Sequence, residues 1–295
     1  MTFLKNTFSL ILFLMPLTIF SQDSIDLSLR FIPNDTFTYQ FKSEPAKDGY
    51  GINDDEVTRI YELDFFVKKV STNGTANIET TFARQIYKMG YGRNMVMFDT
   101  NYPDTTNEYF NKVGYSYMEQ IGYKNAYLMF PNQDMQLADA SNIEKNVAPN
   151  SHSTTGVSTQ LHLLNFHPNH SVKIGDTWSK TFFELFVDQQ VDYQFTLESE
   201  NDTAYVVKVD GKISSKGSLS APVDMFHQTV QIKQNLFGTE KGYIEVDKKT
   251  GWVTRLFINQ IKSGFFTMYN VDVPNDDGQI MPINTQKNID IERVK

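Results

Sequence analysis

Apolar and polar residues alternate with a period of two through most of the chain. In FTYQF, Phe37, Tyr39 and Phe41 share one side of an extended strand, and Thr38 and Gln40 share the other. The same alternation returns in RIYELDFFVKKV, in VDYQFTLESE and in the long runs of the last third of the sequence. The pattern therefore predicts a mainly β protein built from antiparallel strands.

Turn residues between the alternating runs predict hairpins. Asn73-Gly74 separates two runs, and an Asn-Gly pair is the strongest local signal for a two-residue β-turn. A second hairpin loop is predicted in the segment that begins with Asp247 and ends with Gly251, because glycine tolerates a positive φ at such a position.

One segment in the first half departs from this alternation. Over residues 105–122 the apolar residues recur at steps of three and four, which is the period of an amphipathic helix. Thr105 and Glu108 fit a capping box at its start. The methionine and aromatic residues of the first half can line an adaptable pocket or simply fill a plain β-sheet core. If a pocket exists, we expect the helix to cover it as a plug or lid. The inner side of this predicted helix consists of Phe110, Val113, Tyr117 and Ile121.

The two halves of the chain repeat one order of turn, strand, loop, long strand and turn. Asp35-Thr36-Phe37 in the first half corresponds to Asp176-Thr177-Trp178 in the second. The repeat predicts two related antiparallel, curved β-sheet modules, half-barrel or sandwich-like, with one amphipathic helix in the first. The predicted organisation is a signal peptide at residues 1–21, a first module at 22–130, a polar linker at 131–160, a second module at 161–273, and a loose tail at 274–295 that can add an edge strand.

The first residues predict export. Lys5 precedes an uncharged apolar run from Phe8 to Phe20, and the small residue Ser21 follows at a suitable cleavage position. This is the anatomy of a secretory signal peptide, and no later run is long enough to be a transmembrane helix of the mature chain. We therefore expect a periplasmic, outer-membrane-associated or secreted protein.

Cysteine usage and charge narrow the function classes. The chain has no cysteine, which excludes disulfides, thiol catalysis, Cys-ligated metals and the lipidated cysteine of a bacterial lipoprotein. The net charge is −8, the acidic residues are dispersed, and there is neither a basic patch nor a nucleic-acid motif. Nucleic acid is therefore not an expected partner.

Four features together resemble a known group of proteins. They are the leader, the NGTA turn at residues 73–76, the GDTW motif at 175–178 and the hairpin GYIEVDKKTGWV at 242–253. They resemble an uncharacterised family of exported Bacteroidetes-type envelope proteins, a domain of unknown function, and the likeness covers nearly the whole mature chain. The architecture is also similar to periplasmic lipoprotein-carrier folds, which hold acyl chains in an open half-barrel. The resemblance implies an envelope location and brings no established activity.

Three histidines in LHLLNFHPNH are the best candidates for metal chemistry. Imidazoles at the spacing of His162, His167 and His170 can ligate zinc. The segment lacks the H-E-x-x-H pattern, however, and also reads as a strand that runs into a polar turn with exposed histidines. The sequence has no G-x-S-x-G elbow, P-loop or dinucleotide motif, so we predict no cofactor.

The GDTW motif can be a binding site or a piece of architecture, and the repeat favours architecture. Glycine permits a tight turn, Asp and Thr can bond backbone amides, and the Trp ring is expected to be buried between the halves. The residues assigned such structural roles are Gly175, Asp176, Thr177, Trp178, Asp247 and Gly251.

The leading hypothesis is thus a non-catalytic exported envelope protein that binds an apolar ligand or another envelope component on a curved β-scaffold. The alternative is a metal-dependent or other hydrolytic enzyme with its site near His162, His167 and His170.

Overall fold

A computed structural model gives the architecture. It describes residues 23–46, 57–89, 96–103, 118, 120–131, 136–137, 162–184, 189–215, 217, 219, 223–225, 228–274 and 276–294.

Thirteen strands account for most of the described residues. In chain order they are β1 Thr36–Pro45, β2 Val57–Val70, β3 Ala76–Met89, β4 Val96–Asp99, β5 Lys124–Met129, β6 Gln136–Leu137, β7 Thr177–Glu184, β8 Gln189–Glu200, β9 Ala204–Ser215, β10 Val223–Met225, β11 Gln228–Asp247, β12 Val253–Asn270 and β13 Gln279–Arg293. A short 3-10 helix covers His162–Asn165. The prediction of a mainly β, antiparallel protein is confirmed.

All thirteen strands belong to one open antiparallel sheet. Its order is β6-β5-β3-β2-β1-β13-β12-β11-β9-β8-β7, with β4 beside β3 and β10 beside β11. The ends of this order, β6 and β7, are not paired with each other, so the sheet is not closed. The two predicted modules are therefore parts of a single continuous sheet.

The prediction of a loose tail at residues 274–295 was wrong for most of that segment. Strand β13 lies in the middle of the sheet, where it pairs with β1 on one side and β12 on the other. Ile289 and Ile291 alternate with charged residues and are buried, so β13 contributes to the core like any central strand. The tail is the strand that joins the two halves.

The predicted helix receives no support. Residues 105–117 and 119 lie outside the described residues, and residues 120–122 form a turn. The Ile121 amide donates to the carbonyl of Met118 at 3.1 Å in this turn. The predicted linker is described at residue 131 and at Gln136–Leu137, which form β6.

The chain enters β1 and β7 through the same backbone arrangement. Before β1, the Asn34 amide donates to the Val67 carbonyl at 2.8 Å, and the Val67 amide donates to Asp35 at 3.0 Å. Before β7, the Gly175 amide donates to Leu197 at 2.7 Å, and the Leu197 amide donates to Asp176 at 3.0 Å.

We call these two turns the corners: Asn34-Asp35 before β1 and Gly175-Asp176 before β7. They share two further features. Asn34 and Gly175 both have positive φ, at 67° and 94°. The partner strands have a register shift at the same place, between Val67 and Lys69 in β2 and between Leu197 and Ser199 in β8. The two corners are therefore alike in hydrogen bonds, backbone conformation and register.

The hydrophobic core lies on one side of the sheet, which we call the core face. Two segments outside the strands cover it, residues 23–33 and 162–174, and their Leu27, Leu164 and Phe166 join the same buried cluster. Hydrogen bonds between Ile25 and Val172 connect the two covering segments. The core face is thus filled with packed side chains in this part of the molecule.

Trp252 joins the two halves in this core. Its ring centroid lies 4.7 Å from Phe37, 6.4 Å from Phe65 and 5.7 Å from Phe31. Contrary to the expectation from the sequence, the Trp178 ring does not lie between the halves: its ring contacts, at 5.8 Å with Phe195 and 6.4 Å with Phe166, are both in the second half.

Strands β11, β12 and β13 extend beyond their neighbours. They contain 20, 18 and 15 residues. β9 pairs with β11 only over Phe237–Asp247, and β1 pairs with β13 only over Lys287–Arg293. We call residues 228–239, 260–270 and 279–286, most of which project beyond β9 and β1, the distal ribbon.

Candidate functional site

His167 is part of the packed interior. Its side chain is fully buried, and its Nε2 lies 2.9 Å from the Gly251 carbonyl, which can only accept a hydrogen bond. Nε2 therefore carries the proton of the neutral ring. Burial lowers the pKa of His167 to about 4, and the hydrogen bond to Gly251 opposes this only in part.

The structure does not bring His170 together with the buried His167. His170 is exposed, and the side chain of His162 lies outside what the structure describes. No group of three or more His, Cys, Asp or Glu residues in the described part of the chain is arranged to hold a metal ion.

The GDTW motif forms the corner before β7. Gly175 has φ of 94°, and Asp176 accepts a hydrogen bond from the Lys173 amide at 2.8 Å through Oδ2. Thr177 begins the strand. The ring of Trp178 is buried, and its Nε1–H donates to the Phe166 carbonyl at 2.6 Å. The motif therefore holds the covering segment 162–174 against β7 and β8.

The loop between β11 and β12 holds the other covering segment. Asp247 Oδ1 accepts hydrogen bonds from the amides of Lys249 and Thr250 and from the Thr250 hydroxyl, at 2.7–3.0 Å. Burial opposes ionisation of Asp247, but these hydrogen bonds outweigh it and hold its pKa below the ordinary value. Gly251 has φ of 72°, and a Cβ there would lie 2.3 Å from the Ser28 carbonyl oxygen.

The predicted pocket under a helix lies mostly outside the described residues. Phe110, Val113 and Tyr117 are not described, and Ile121 is half-buried in a turn. Clefts of about 480 Å³ and 520 Å³ lie elsewhere on the molecule, and their linings include polar or charged side chains such as Asp192, Lys212, Asp26 and Glu200.

The core face contains a buried carboxylate that the sequence did not predict. Glu240 is only 3% exposed; one of its oxygens accepts a hydrogen bond from the Tyr193 hydroxyl, and the other accepts one from Gln260 Nε2 at 2.5 Å. Gly211 makes this possible, because a Cβ there would lie 2.7 Å from the Tyr193 ring. The two partners of Glu240, Tyr193 and Gln260, lie on other strands, and no local sequence motif predicts that they meet.

The opposite side of the distal ribbon carries an apolar surface that faces solvent. Phe237 is 64% exposed, and the partner of Phe237 in β12 is Ser263. Paired residues and those two positions away share one face of a sheet. The members of this surface, which we call the apolar face, are Phe237, Ile261, Phe265, Ile280 and Pro282.

The apolar face differs from the rest of the outer side of the sheet. On β8 the residues facing outward include Asp192 and Gln194, which are exposed and polar. On the distal ribbon, adjacent apolar residues point to opposite sides, as in Leu236-Phe237 and Phe265-Phe266. A sheet segment that is apolar on both faces is normally covered on both.

Three lysines flank the apolar face on its β11 side. Lys233 and Lys241 lie four residues before and after Phe237 on β11, on the same side of the sheet. Lys212 of β9 pairs with Thr239, which places it on this side as well.

A comparison with models of protein families gives a match to part of the chain. Residues 141–253 match a family of unknown function, DUF6263. The matched segment includes the GDTW corner and the hairpin that ends at Val253. No curated protein is significantly similar to the chain. Among the described residues, no helix is both long and apolar enough to cross a membrane.

Proposed function

We propose that this chain is an exported, non-catalytic binding protein of the cell envelope, of Bacteroidetes type, that docks onto another envelope component through the apolar face. The leader, the sequence resemblance and the match to a family of unknown function are consistent with this proposal. The observation that carries it is the exposure of Phe237, Ile261, Phe265 and Ile280 together on one side of the distal ribbon.

Covering the apolar face with a partner contributes favourable free energy to binding. The four side chains are between 40% and 65% exposed. Covering them would release about 3–6 kcal/mol, because fully burying one such side chain contributes about 1.5–3 kcal/mol. Exposed apolar surfaces of this kind mark interaction sites in soluble proteins.

Docking of an envelope component on the apolar face is better supported than binding of a small apolar ligand within the core face. The core face is packed with aromatic and aliphatic side chains from the sheet and its two covering segments. Neither of the two clefts described above is lined mainly by apolar groups, whereas sites for apolar ligands are.

Sedimentation with a total envelope fraction tests the proposal. We expect the mature chain to sediment with the fraction and the double variant Phe237→Ser/Phe265→Ser to lose at least nine-tenths of this binding. Phe183→Ser is the matched control, because Phe183 is an exposed phenylalanine on β7 outside the apolar face. Equal binding by the double variant and the parent would refute the proposal.

We further propose that the two halves descend from one duplicated β-module. The matching corners before β1 and β7 support this proposal, since hydrogen bonds, positive φ and register shift all correspond. Replacing Asn34 with glycine, the residue of the second corner, should leave the stability unchanged or raise it slightly in urea unfolding. A strong loss of stability would speak against equivalent corners.

A further inference from the structure

We infer that the component which the apolar face binds is an anionic lipid surface. The inference rests on the proposed function and names the chemistry of its partner. It is carried by the combination of exposed apolar side chains with a border of lysines, which is the pattern of proteins that adsorb to anionic membranes.

The charged residues of β11 that lie nearest to Phe237 on its side of the sheet are both lysines. Lys233 and Lys241 lie on the same strand as Phe237, each roughly 13 Å from it at about 3.3 Å per residue. The outward residues of β12 from Asn259 to Thr267 and of β13 from Ile280 to Asn288 include no acid. The whole chain, by contrast, has a net charge of −8.

Two carboxylates near the apolar face, Asp210 and Asp276, have partners of their own. Asp210, which pairs with Lys241 across β9 and β11, has an ion pair with Lys208 at 2.8 Å. Asp276 in the turn before β13 accepts hydrogen bonds from the amides of Asn270 and Gly278. Lys233 pairs with Thr267 of β12, and no acid of the distal ribbon shares its side of the sheet.

The size of the apolar face favours a lipid surface over a folded protein. Three strands at about 4.8 Å spacing and roughly nine residues at 3.3 Å span on the order of 400 Å². A stable protein interface needs about 800 Å² from each partner. A second copy docked through the same face would also bring lysines against lysines. Lipid adsorption has no such area requirement and gains from the lysines.

Protein-free vesicles test the inference. We expect the mature chain to bind vesicles of phosphatidylglycerol and phosphatidylcholine at least tenfold more strongly than vesicles of phosphatidylcholine alone. Phe237→Ser/Phe265→Ser should weaken binding to the mixed vesicles at least tenfold. Lys233→Gln/Lys241→Gln should remove the preference for phosphatidylglycerol and the dependence on salt.

Matched controls distinguish binding through the apolar face from the general effect of removing an exposed phenylalanine or lysine. Phe183→Ser and the exposed Lys249→Gln should bind mixed vesicles like the parent. All variants are first compared with the parent by urea unfolding, so that a loss of folding is not mistaken for a loss of binding.

The outcomes distinguish the inference from the proposed function. Phe237-dependent sedimentation with the total envelope fraction, without binding to protein-free vesicles, would overturn the lipid inference and leave the docking function standing. No binding to either material would refute both. A dimer of the parent that Phe237→Ser dissociates in analytical ultracentrifugation would identify a second copy as the occupant and also overturn the inference.

Discussion

His167 donates a hydrogen bond from Nε2 to the carbonyl of Gly251, 84 residues further along the chain. The bond ties the covering segment 162–174 to the loop between β11 and β12. It also requires the neutral ring, because the side chain is fully buried and its Nδ1 has no hydrogen-bond partner among the described residues.

The stability of the protein should fall in mild acid because of His167. The pKa of this residue is lowered to about 4 in the folded state from the value of 6.5 for a solvated histidine, so the unfolded chain binds the proton more readily. Its contribution is complete above about pH 6.5, declines as the pH falls, and is lost by about pH 4. We expect a loss of about 3 kcal/mol over this range.

Urea unfolding at pH 7.5 and pH 4.5 measures this effect. His167→Phe should show a smaller decrease between the two pH values than the parent, whatever its stability at pH 7.5. His170→Gln, at an exposed position, should behave like the parent. Equal decreases for His167→Phe and the parent would show that His167 is not the group responsible.

Alanine at Gly251 should be much more harmful than alanine at Gly175. Both glycines have positive φ, which costs an L-residue about 1–2 kcal/mol. A Cβ at Gly175 meets nothing within 4 Å, whereas at Gly251 it would lie 2.3 Å from the Ser28 carbonyl oxygen. Thermal or urea unfolding should therefore rank the two variants, and equal losses would contradict the close approach of Ser28.

Trp178→Ala should lower stability without removing envelope binding. The ring is buried against Phe166 and Phe195 and donates a hydrogen bond, so its loss should cost about 3–5 kcal/mol. Trp178→Phe keeps a ring and should cost less. A variant as stable as the parent that no longer bound the envelope fraction would instead make GDTW a binding site.

Two isoleucines of β13 should respond in opposite ways to alanine. Ile291 is fully buried in the core, and Ile291→Ala should destabilise the protein by about 2–5 kcal/mol. Ile280 is 65% exposed, and Ile280→Ala should change stability by no more than about 0.5 kcal/mol. Similar urea midpoints for the two variants would argue against a central position of β13.

Removing the Tyr193 hydroxyl should leave Glu240 with one hydrogen-bond partner fewer. Tyr193→Phe is expected to cost about 1–3 kcal/mol, because the carboxyl group is buried. A double-mutant cycle with Glu240→Gln measures the coupling by urea unfolding, and Tyr123→Phe at an exposed tyrosine is the control. Additive effects in the cycle would contradict a direct Tyr193–Glu240 bond.

Local patterns were informative where the residues that define a feature are adjacent in sequence. Asn73-Gly74 lies between β2 and β3, and Asp247 to Gly251 form the loop between β11 and β12, as the turn residues predict. The sequence also contains an indication of the apolar face: the adjacent apolar pairs Leu236-Phe237 and Phe265-Phe266 interrupt strict alternation. Which member of each pair faces solvent was not readable from these runs.

Features that depend on distant residues escaped prediction. Alternation shows which residues share one face of a strand, but it does not show how many other strands pair with that strand. The alternation around Ile289 and Ile291 therefore fits an edge strand or a central strand equally well. The Tyr193–Glu240 pair likewise depends on the register of β8, β9 and β11, together with the space above Gly211.

The sequence by itself determined the strand-rich, antiparallel character of the protein and the places of its turns, because side-chain period and turn chemistry are local properties. The tertiary structure decided that β13 joins β1 to β12, that His167 belongs to the interior, and that Phe237 faces outward. These outcomes depend on which strands pair and which segments cover them. They follow from the packing of the whole core rather than from any single stretch of residues.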